Sequence, residues 1–188
     1  VNKAIRELPE DDKPFTNVKE GLEIISAVAD LAIVSSANGG AVIAEWTRHE
    51  LAPCVKVMLG QEAGTKAACI ANLKKNNYFE DEVLMVGDAP GDLESALKNG
   101  VLYYPILVGR EGFSWDRLNK EALTKLLEGS YRGEYQDKLI DEFNSRYIIF
   151  EFKNYEHSIK QTQIYTTEKY LFQKALRNVA FIISRKGD

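Results

Sequence analysis

Apolar residues along the chain follow two alternating patterns, helical spacing and short continuous runs. Val18, Leu22, Ile25 and Ala29 recur at the spacing of one helix face. Four short runs are apolar almost throughout, namely residues 31–34, 55–59, 83–86 and 102–107. Continuous apolar runs of this length indicate strands that are buried on both faces.

Helices are predicted between these strands, over residues 42–51, 65–73, 91–98 and 114–128. Ser114 is a candidate N-cap for the last helix, while Gly100 and Gly129 are expected to end two of them. Strands that alternate with helices predict an α/β fold, in which a Rossmann-like parallel sheet carries helices on both faces. Ligands of such sheets bind at the carboxyl ends of the strands.

The C-terminal region has a different pattern, and we treat residues 146–188 as a tail extension. Residues 147–152 are rich in Tyr, Ile and Phe, and they predict a strand. Residues 167–183 predict a helix with Tyr170, Leu171, Ala175, Val179 and Ile182 facing inward. We expect the tail strand to pair with the sheet, or the tail to mediate self-association. The alternative is a peripheral extension that covers no part of the sheet.

Composition narrows the classes of partner. The chain has 188 residues, 45% of them hydrophobic, and a net charge of −4, which argues against a nucleic-acid partner because binding a phosphate backbone needs clustered Lys and Arg. No run approaches the roughly 20 apolar residues that span a bilayer, so no membrane partner is expected. Cys54 and Cys69 have no metal-ligand spacing, and we predict two reduced thiols in the cytoplasm.

Polar residues that suit a phosphate site follow the first apolar run. Ser35, Ser36 and Asn38 precede Gly39 and Gly40, and a hydroxyl followed by main-chain N–H groups entering a helix can hold an anion. The alternative is an ordinary strand-to-helix turn with Asn38 as the N-cap.

Lys66 lies at the start of a predicted helix, behind Gly64 and Thr65. A cation is disfavoured near a helix N-terminus, so an anionic partner is expected there. The alternative is a solvated surface lysine.

The segment 87–92 reads Gly-Asp-Ala-Pro-Gly-Asp and follows the third apolar run. Asp88 and Asp92 lie four residues apart in a rigid turn that opens a helix. Mg²⁺ takes oxygen ligands and keeps positions for water and substrate phosphate, so both carboxylates are candidate metal ligands. The alternative is helix capping by Asp.

Together, these three strand ends resemble the haloacid dehalogenase (HAD) superfamily over roughly residues 14–145. Ser35 resembles its second motif, Lys66 its third, and segment 87–92 its fourth, G-D-x-x-x-D. The resemblance implies Mg²⁺-dependent hydrolysis of a small phosphorylated metabolite. It also implies that Ser35 and Lys66 bind the phosphoryl group, with further contacts from Ser36 and Asn38. Asp88 would ligate Mg²⁺, and Asp92 would support the metal and fix Lys66.

The first motif of that family, an apolar strand ending D-x-D, has no match in this sequence. Its first Asp is the nucleophile that forms an aspartyl-phosphate, and its second is the general acid and base. The acidic residues 10–12 follow Pro9 and no apolar strand. We therefore expect that the chain begins inside or after a cap domain, that residues 1–13 are a remnant of that cap or a linker, and that the chain is inactive by itself.

Two alternatives differ from this interpretation. The first is a non-catalytic HAD-fold protein that acts as a binding or interaction module, and an upstream D-x-D strand would argue against it. The second is a receiver-type signalling domain, which also carries Asp, Ser or Thr, and Lys at strand ends. Its acidic cluster must precede the Ser, and the order of residues here does not supply that.

Overall fold

The structure is a computed structural model that describes residues 13–76, 78–145, 148–152 and 179–183, the last two segments by their backbone alone. The first half contains α1 Val18–Ser26, β1 Ala32–Val34, α2 Gly39–Arg48, β2 Val57–Leu59 and α3 Lys66–Lys74. The second half contains β3 Leu84–Gly87, α4 Pro90–Asn99, β4 Leu102–Pro105, α5 Glu111–Arg117, α6 Leu123–Leu127 and α7 Glu134–Asn144. The tail contains β5 Ile148–Phe152 and β6 Val179–Ile183. The α/β class predicted from the sequence is confirmed.

The strands of the described residues form three parallel pairs, β1–β2, β3–β4 and β5–β6, and not one continuous sheet. Ala32 pairs with Val57 in the first pair, and Leu84 pairs with Leu102 in the second. Each strand is only three to five residues long. The predicted order of strands and helices is observed, and the predicted parallel pairing is confirmed in small two-stranded sheets.

Apolar side chains cover both faces of the β3–β4 pair, as expected for strands that are apolar throughout. On one face, Leu102 and Tyr104 pack in a cluster with Ile25 of α1 and Leu118. On the other face, Tyr103 packs with residues of α3, α4 and α7, including Phe143. All four residues of β4 are buried. The core therefore centres on β4.

The outer edge of β4 is closed by side chains. The main-chain N–H of Tyr103 donates to Gln136 Oε1 at 2.9 Å, and its carbonyl accepts from Tyr131 Oη at 2.8 Å. Pro105, the last residue of the strand, has no N–H to satisfy. No further strand can pair with β4 on this side while these two bonds are in place.

Two predicted helix boundaries need correction or extension. Ser114 is not an N-cap, because α5 begins at Glu111, and the buried Ser114 hydroxyl accepts instead from the N–H of Leu107 at 2.9 Å. The predicted single helix continues through a π-helical segment, Leu118–Ala122, before α6. The αL conformations of Gly100 and Gly129, φ 68° and 69°, confirm the helix ends predicted there.

The tail prediction is half right. Residues 148–152 form the predicted strand, but residues 179–183 form β6 and not the end of a helix. The sequence Val-Ala-Phe-Ile-Ile is rich in β-branched and aromatic residues, which favours a strand. The rest of the predicted helix lies outside the described residues. β5 pairs with β6 and, within the described part of the chain, with no core strand.

No helix in the described part of the chain is long and apolar enough to cross a membrane.

Candidate functional site

Lys66 and Asp92 form the charge pair at the centre of the candidate site. Lys66 is the first residue of α3, and its Nζ lies 2.5 Å from Oδ1 of Asp92 on α4. The Asp92 side chain is 3% exposed, whereas that of Lys66 is 26% exposed. The anionic partner expected for a lysine at a helix N-terminus is therefore Asp92.

The rest of the turn between β3 and α4 orders Asp92. Its Oδ2 accepts from the N–H of Ala89 at 3.2 Å, which caps the first turn of α4. A Cβ at Gly87 would lie 2.3 Å from the same oxygen, so only glycine leaves space for this carboxylate. Asp88, in contrast, is exposed, and it directly follows the carboxyl end of β3.

Ser35 and Asn38 lie in the loop between β1 and α2. Ser35 Oγ accepts from the N–H of Ala37 at 3.1 Å, while the exposed Ser36 is the next residue. Asn38 is the N-cap of α2, because its Oδ1 accepts from the N–H of Ala41 at 3.3 Å. The capping role that the sequence offered as an alternative for Asn38 is thus observed, and it leaves the amide nitrogen to bind something else.

That partner is Glu62, a residue that the sequence analysis did not single out. Asn38 Nδ2 donates to Glu62 Oε1 at 2.6 Å, and the N–H of Gly39 donates to Oε2 at 3.0 Å. The first N–H of α2, part of the anion cradle that the sequence suggested, therefore already binds a carboxylate. The only hint in the sequence is that Glu62 stands four residues before Lys66.

Two strand edges next to these loops are open, in that no strand of the described residues pairs with them. The carbonyl of Leu31 and the N–H of Ser35 both bond to the segment of β2. Because alternate residues of a strand point their main-chain groups to opposite sides, those of Ala32 and Val34 point away from β2. By the same alternation, the carbonyls of Val83 and Gly87 accept from β4 and the residue after it, and the main-chain groups of Leu84 and Val86 point away from β4. Leu31, Leu84 and Val86 pack against the same cluster, so both open edges border one region.

Comparison with known families agrees with these features. A family model for haloacid dehalogenase-like hydrolases matches residues 1–105, which is more than half of the chain. The chain belongs to this family. No curated protein and no solved structure matches the chain. The HAD-like resemblance read from Ser35, Lys66 and segment 87–92 is confirmed as membership, and the chain is of the HAD-type hydrolase class.

The donors at the HAD-like strand ends fit a hard cation. Asp88 offers an exposed carboxylate. The two oxygens of Asp92 accept hydrogen bonds from Lys66 and Ala89. Within the described ranges, no three His, Cys, Asp or Glu side chains form a metal cluster. Mg²⁺ commonly binds one or two carboxylates and completes its shell with water and phosphate, which suits Asp88 as the direct ligand.

A groove also lies elsewhere on the surface of the described residues. It has a volume of about 520 Å³ and is lined by residues of the segment 117–142, including Arg117, Lys125 and Tyr135. None of the strand-end residues lines it. Tyr104, on β4, is fully buried and donates its hydroxyl to the carbonyl of Ser114.

Proposed function

We propose that this HAD-type chain belongs to a phosphohydrolase that removes phosphate from a small phosphorylated metabolite with the help of Mg²⁺. The observation that carries the proposal is the Lys66–Asp92 pair, held beside the exposed Asp88 at the carboxyl end of β3. A lysine held by a buried carboxylate offers a fixed positive charge. Phosphoryl transfer depends mainly on such positioning and charge stabilisation.

Each strand-end residue has a role in this proposal. Ser35 donates its hydroxyl proton to a phosphoryl oxygen, and Lys66 stabilises the negative charge of that group. Asp88 ligates Mg²⁺, which, when bound, neutralises charge on the phosphate. Asp92 holds Lys66 in place and contributes to the metal site through water. Ser36 and Asn38 are additional phosphate contacts, and Asn38 would have to share its amide with Glu62.

The nucleophile would come from a strand between the two open edges, β1 and β3. In the proposed reaction, an Asp carboxylate attacks phosphorus, the bond from phosphorus to the leaving oxygen breaks, and water then hydrolyses the aspartyl-phosphate. No apolar strand ending D-x-D occurs among the 188 residues. We therefore expect this chain alone to bind phosphate without turning over an ester.

The lack of a D-x-D sequence among these residues also supports a second candidate function, a non-catalytic module that binds an anion or a partner. The two candidates share the fold. They differ in whether a strand that ends D-x-D pairs with the open edges of β1 and β3. Identification of a D-x-D strand in the same reading frame would favour the hydrolase. The two thiols, Cys54 and Cys69, are both free, which suits the reducing cytoplasm for either candidate.

We also propose that the tail mediates self-association. A pair of strands is marginal by itself in water, and the strand sequences Ile-Ile-Phe-Glu-Phe and Val-Ala-Phe-Ile-Ile are strongly apolar. Deletion of residues 147–188 should abolish association in light scattering. An unchanged mass and melting temperature would contradict this role.

The binding part of the proposal is tested by titration with inorganic phosphate, with and without Mg²⁺. We expect binding that requires Mg²⁺ and that falls at least tenfold in Asp88→Asn, since the metal ligand is then lost. Glu94→Gln on the exposed face of α4 is the control and should bind as the wild type does. Phosphate binding that is independent of both Mg²⁺ and Asp88 would refute the proposed site.

A further inference from the structure

The loops that carry Ser35 and Lys66 remain joined beyond the last residues of β1 and β2. The N–H of Ser35 donates to the carbonyl of Leu59, and the N–H of Gln61 donates to the carbonyl of Ala37, each at 2.8 Å. Glu62 then receives the N–H of Gly39 at 3.0 Å. The ladder between the two strands thus continues as a series of contacts, and the last one is made by a side chain.

Close packing of the two backbones leaves no room for a side chain at this point. A Cβ on Gly60 would lie 2.4 Å from both Cα and N of Gly39. Gly60 has φ −88°, which other residues can adopt, so space and not backbone conformation demands glycine here. The two loops are therefore in contact along their main chains, and Glu62 closes the contact.

Only a short connection separates Glu62 from Lys66. Glu62 lies within one 3₁₀ turn, Gln61–Ala63, which is followed by Gly64 at φ 107°. Thr65 then caps α3 by accepting the N–H of Ala68 at 3.2 Å, and Lys66 is the first helical residue. Fixing Glu62 on the Ser35 loop therefore fixes the start of α3 from one side, while Asp92 holds the Lys66 side chain from the other.

We propose that Glu62 is a positioning residue that clamps the Lys66 loop to the Ser35 loop and so sets the relative placement of the two phosphate-binding side chains. Its functional meaning rests on the proposed function, whereas the clamp itself does not. Glu62 acts through Asn38 and Gly39 and does not touch the substrate.

Electrostatics support a charged clamp. The pKa of the Glu62 carboxyl is lowered by hydrogen bonds from its own main-chain N–H and from that of Gly39, with smaller contributions from Gln61 and Asn38. The partial positive charge of the N-terminus of α2 favours the same ionised form. Because the carboxylate fills that position, the phosphoryl group has to bind through Ser35 and Lys66.

Amide hydrogen exchange tests the clamp without any ligand. In Glu62→Ala we expect the amides of Gly39, Gln61 and Ala68 to exchange about tenfold faster, as befits the loss of charge-assisted hydrogen bonds. Ala68 reports on the first turn of α3. Glu45→Ala, on the exposed face of α2, is the matched control and should leave all three rates unchanged. Unchanged rates of Gln61 and Ala68 in Glu62→Ala would sink the proposal.

Phosphate binding with Mg²⁺ then tests whether Glu62 positions Ser35 and Lys66 or only occupies the N-terminus of α2. Glu62→Ala should weaken binding of inorganic phosphate about tenfold. Glu62→Gln keeps one acceptor oxygen for Gly39 and should recover most of the affinity. Tighter phosphate binding in either variant would overturn the proposal, since the carboxylate would then be a competitor for the anion. If the wild type binds no phosphate, the proposed function fails, and the exchange rates alone decide on the clamp.

Discussion

The two edges of the β3–β4 pair differ in whether their outward main-chain groups are hydrogen-bonded. On the outer side, Gln136 and Tyr131 bond to the main chain of Tyr103, and Pro105 presents no donor. On the inner side, the main-chain groups of Leu84 and Val86 point away from β4, and none of the contacts of the described residues closes that edge in the same way. One edge terminates the sheet, whereas the other is open to another strand.

The difference identifies the edge at which a further strand can pair. Main-chain N–H and C=O groups are obligatory hydrogen-bonding groups, and an open strand edge is a template for further pairing. Polar candidate residues follow the open strands, Ser35 after β1 and Asp88 after β3, while hydrogen bonds from neutral side chains close the other edge. The chemistry of the HAD-type site is therefore expected at the open side.

The largest expected effect follows from the D-x-D motif, which has no match among these 188 residues. The chain should show no Mg²⁺-dependent hydrolysis of an aryl phosphate, because loss of a covalent nucleophile lowers turnover by a factor on the order of 10⁶. A colorimetric assay with purified protein checks this. Robust turnover that disappears in Asp88→Asn would mean that another group supplies the carboxylate, and the contrast between the two edges would lose its functional meaning.

A smaller effect is expected from the charge pair beside the open edge. Lys66→Met leaves Asp92 buried without its cation, which should lower the free energy of unfolding by about 3 kcal/mol. Denaturant unfolding measures this. Lys138→Met is the control, since its pair with Glu134 is exposed on both sides, and no change is expected there. Equal stability of both variants would show that Asp92 does not depend on Lys66.

A still smaller change in the free energy of unfolding is expected at the closed edge of β4. Tyr131→Phe removes the donor to the carbonyl of Tyr103, which should lower the free energy of unfolding by about 1–2 kcal/mol. Burial raises the pKa of the Tyr131 hydroxyl above its ordinary value, so it stays a neutral donor. In Tyr78→Phe the lost bond to Asp30 is exposed, and that variant should unfold like the wild type. A Tyr131→Phe variant as stable as this control would mean that the closed edge does not need the bond.

The smallest expected effect is the pH dependence of the Glu62 clamp. Because the pKa of Glu62 is lower in the folded than in the unfolded chain, its contribution to stability is present above the unfolded value near 4.5 and disappears as the pH falls through the lowered folded value. The difference in melting temperature between the wild type and Glu62→Gln should therefore shrink as the pH falls from 6 to below 4. A difference that is constant over this range would argue against a charged clamp.

Much of this architecture could be predicted from local patterns. Apolar runs gave the positions of β1 to β4 to within a few residues, since strands buried on both faces need continuous apolar sequence. Gly100 and Gly129 marked helix ends because glycine adopts positive φ easily. The partner of Lys66 could be expected as well, because a cation at a helix N-terminus calls for an anion.

What the sequence did not show depends on contacts between distant residues. The clamp of Glu62 on Gly39 has no periodic signal, because loop contacts follow from the meeting of two strand ends. Ser114 resembled an N-cap by residue type, but its hydroxyl serves the main chain of Leu107. The tail was misread at residues 179–183, because helical spacing and a short apolar strand are hard to separate in a run of five residues.

The open edge is tested most directly by amide hydrogen exchange along β3 and β4 in the chain by itself. The amides of Met85 and Gly87, which face β4, and that of Tyr103, which Gln136 closes, should be protected. The amides of Leu84 and Val86 should exchange at least tenfold faster than these three, because no strand of the described residues pairs with them. Protection of Leu84 and Val86 equal to that of Met85 would mean that a strand already occupies this position, which would contradict the account.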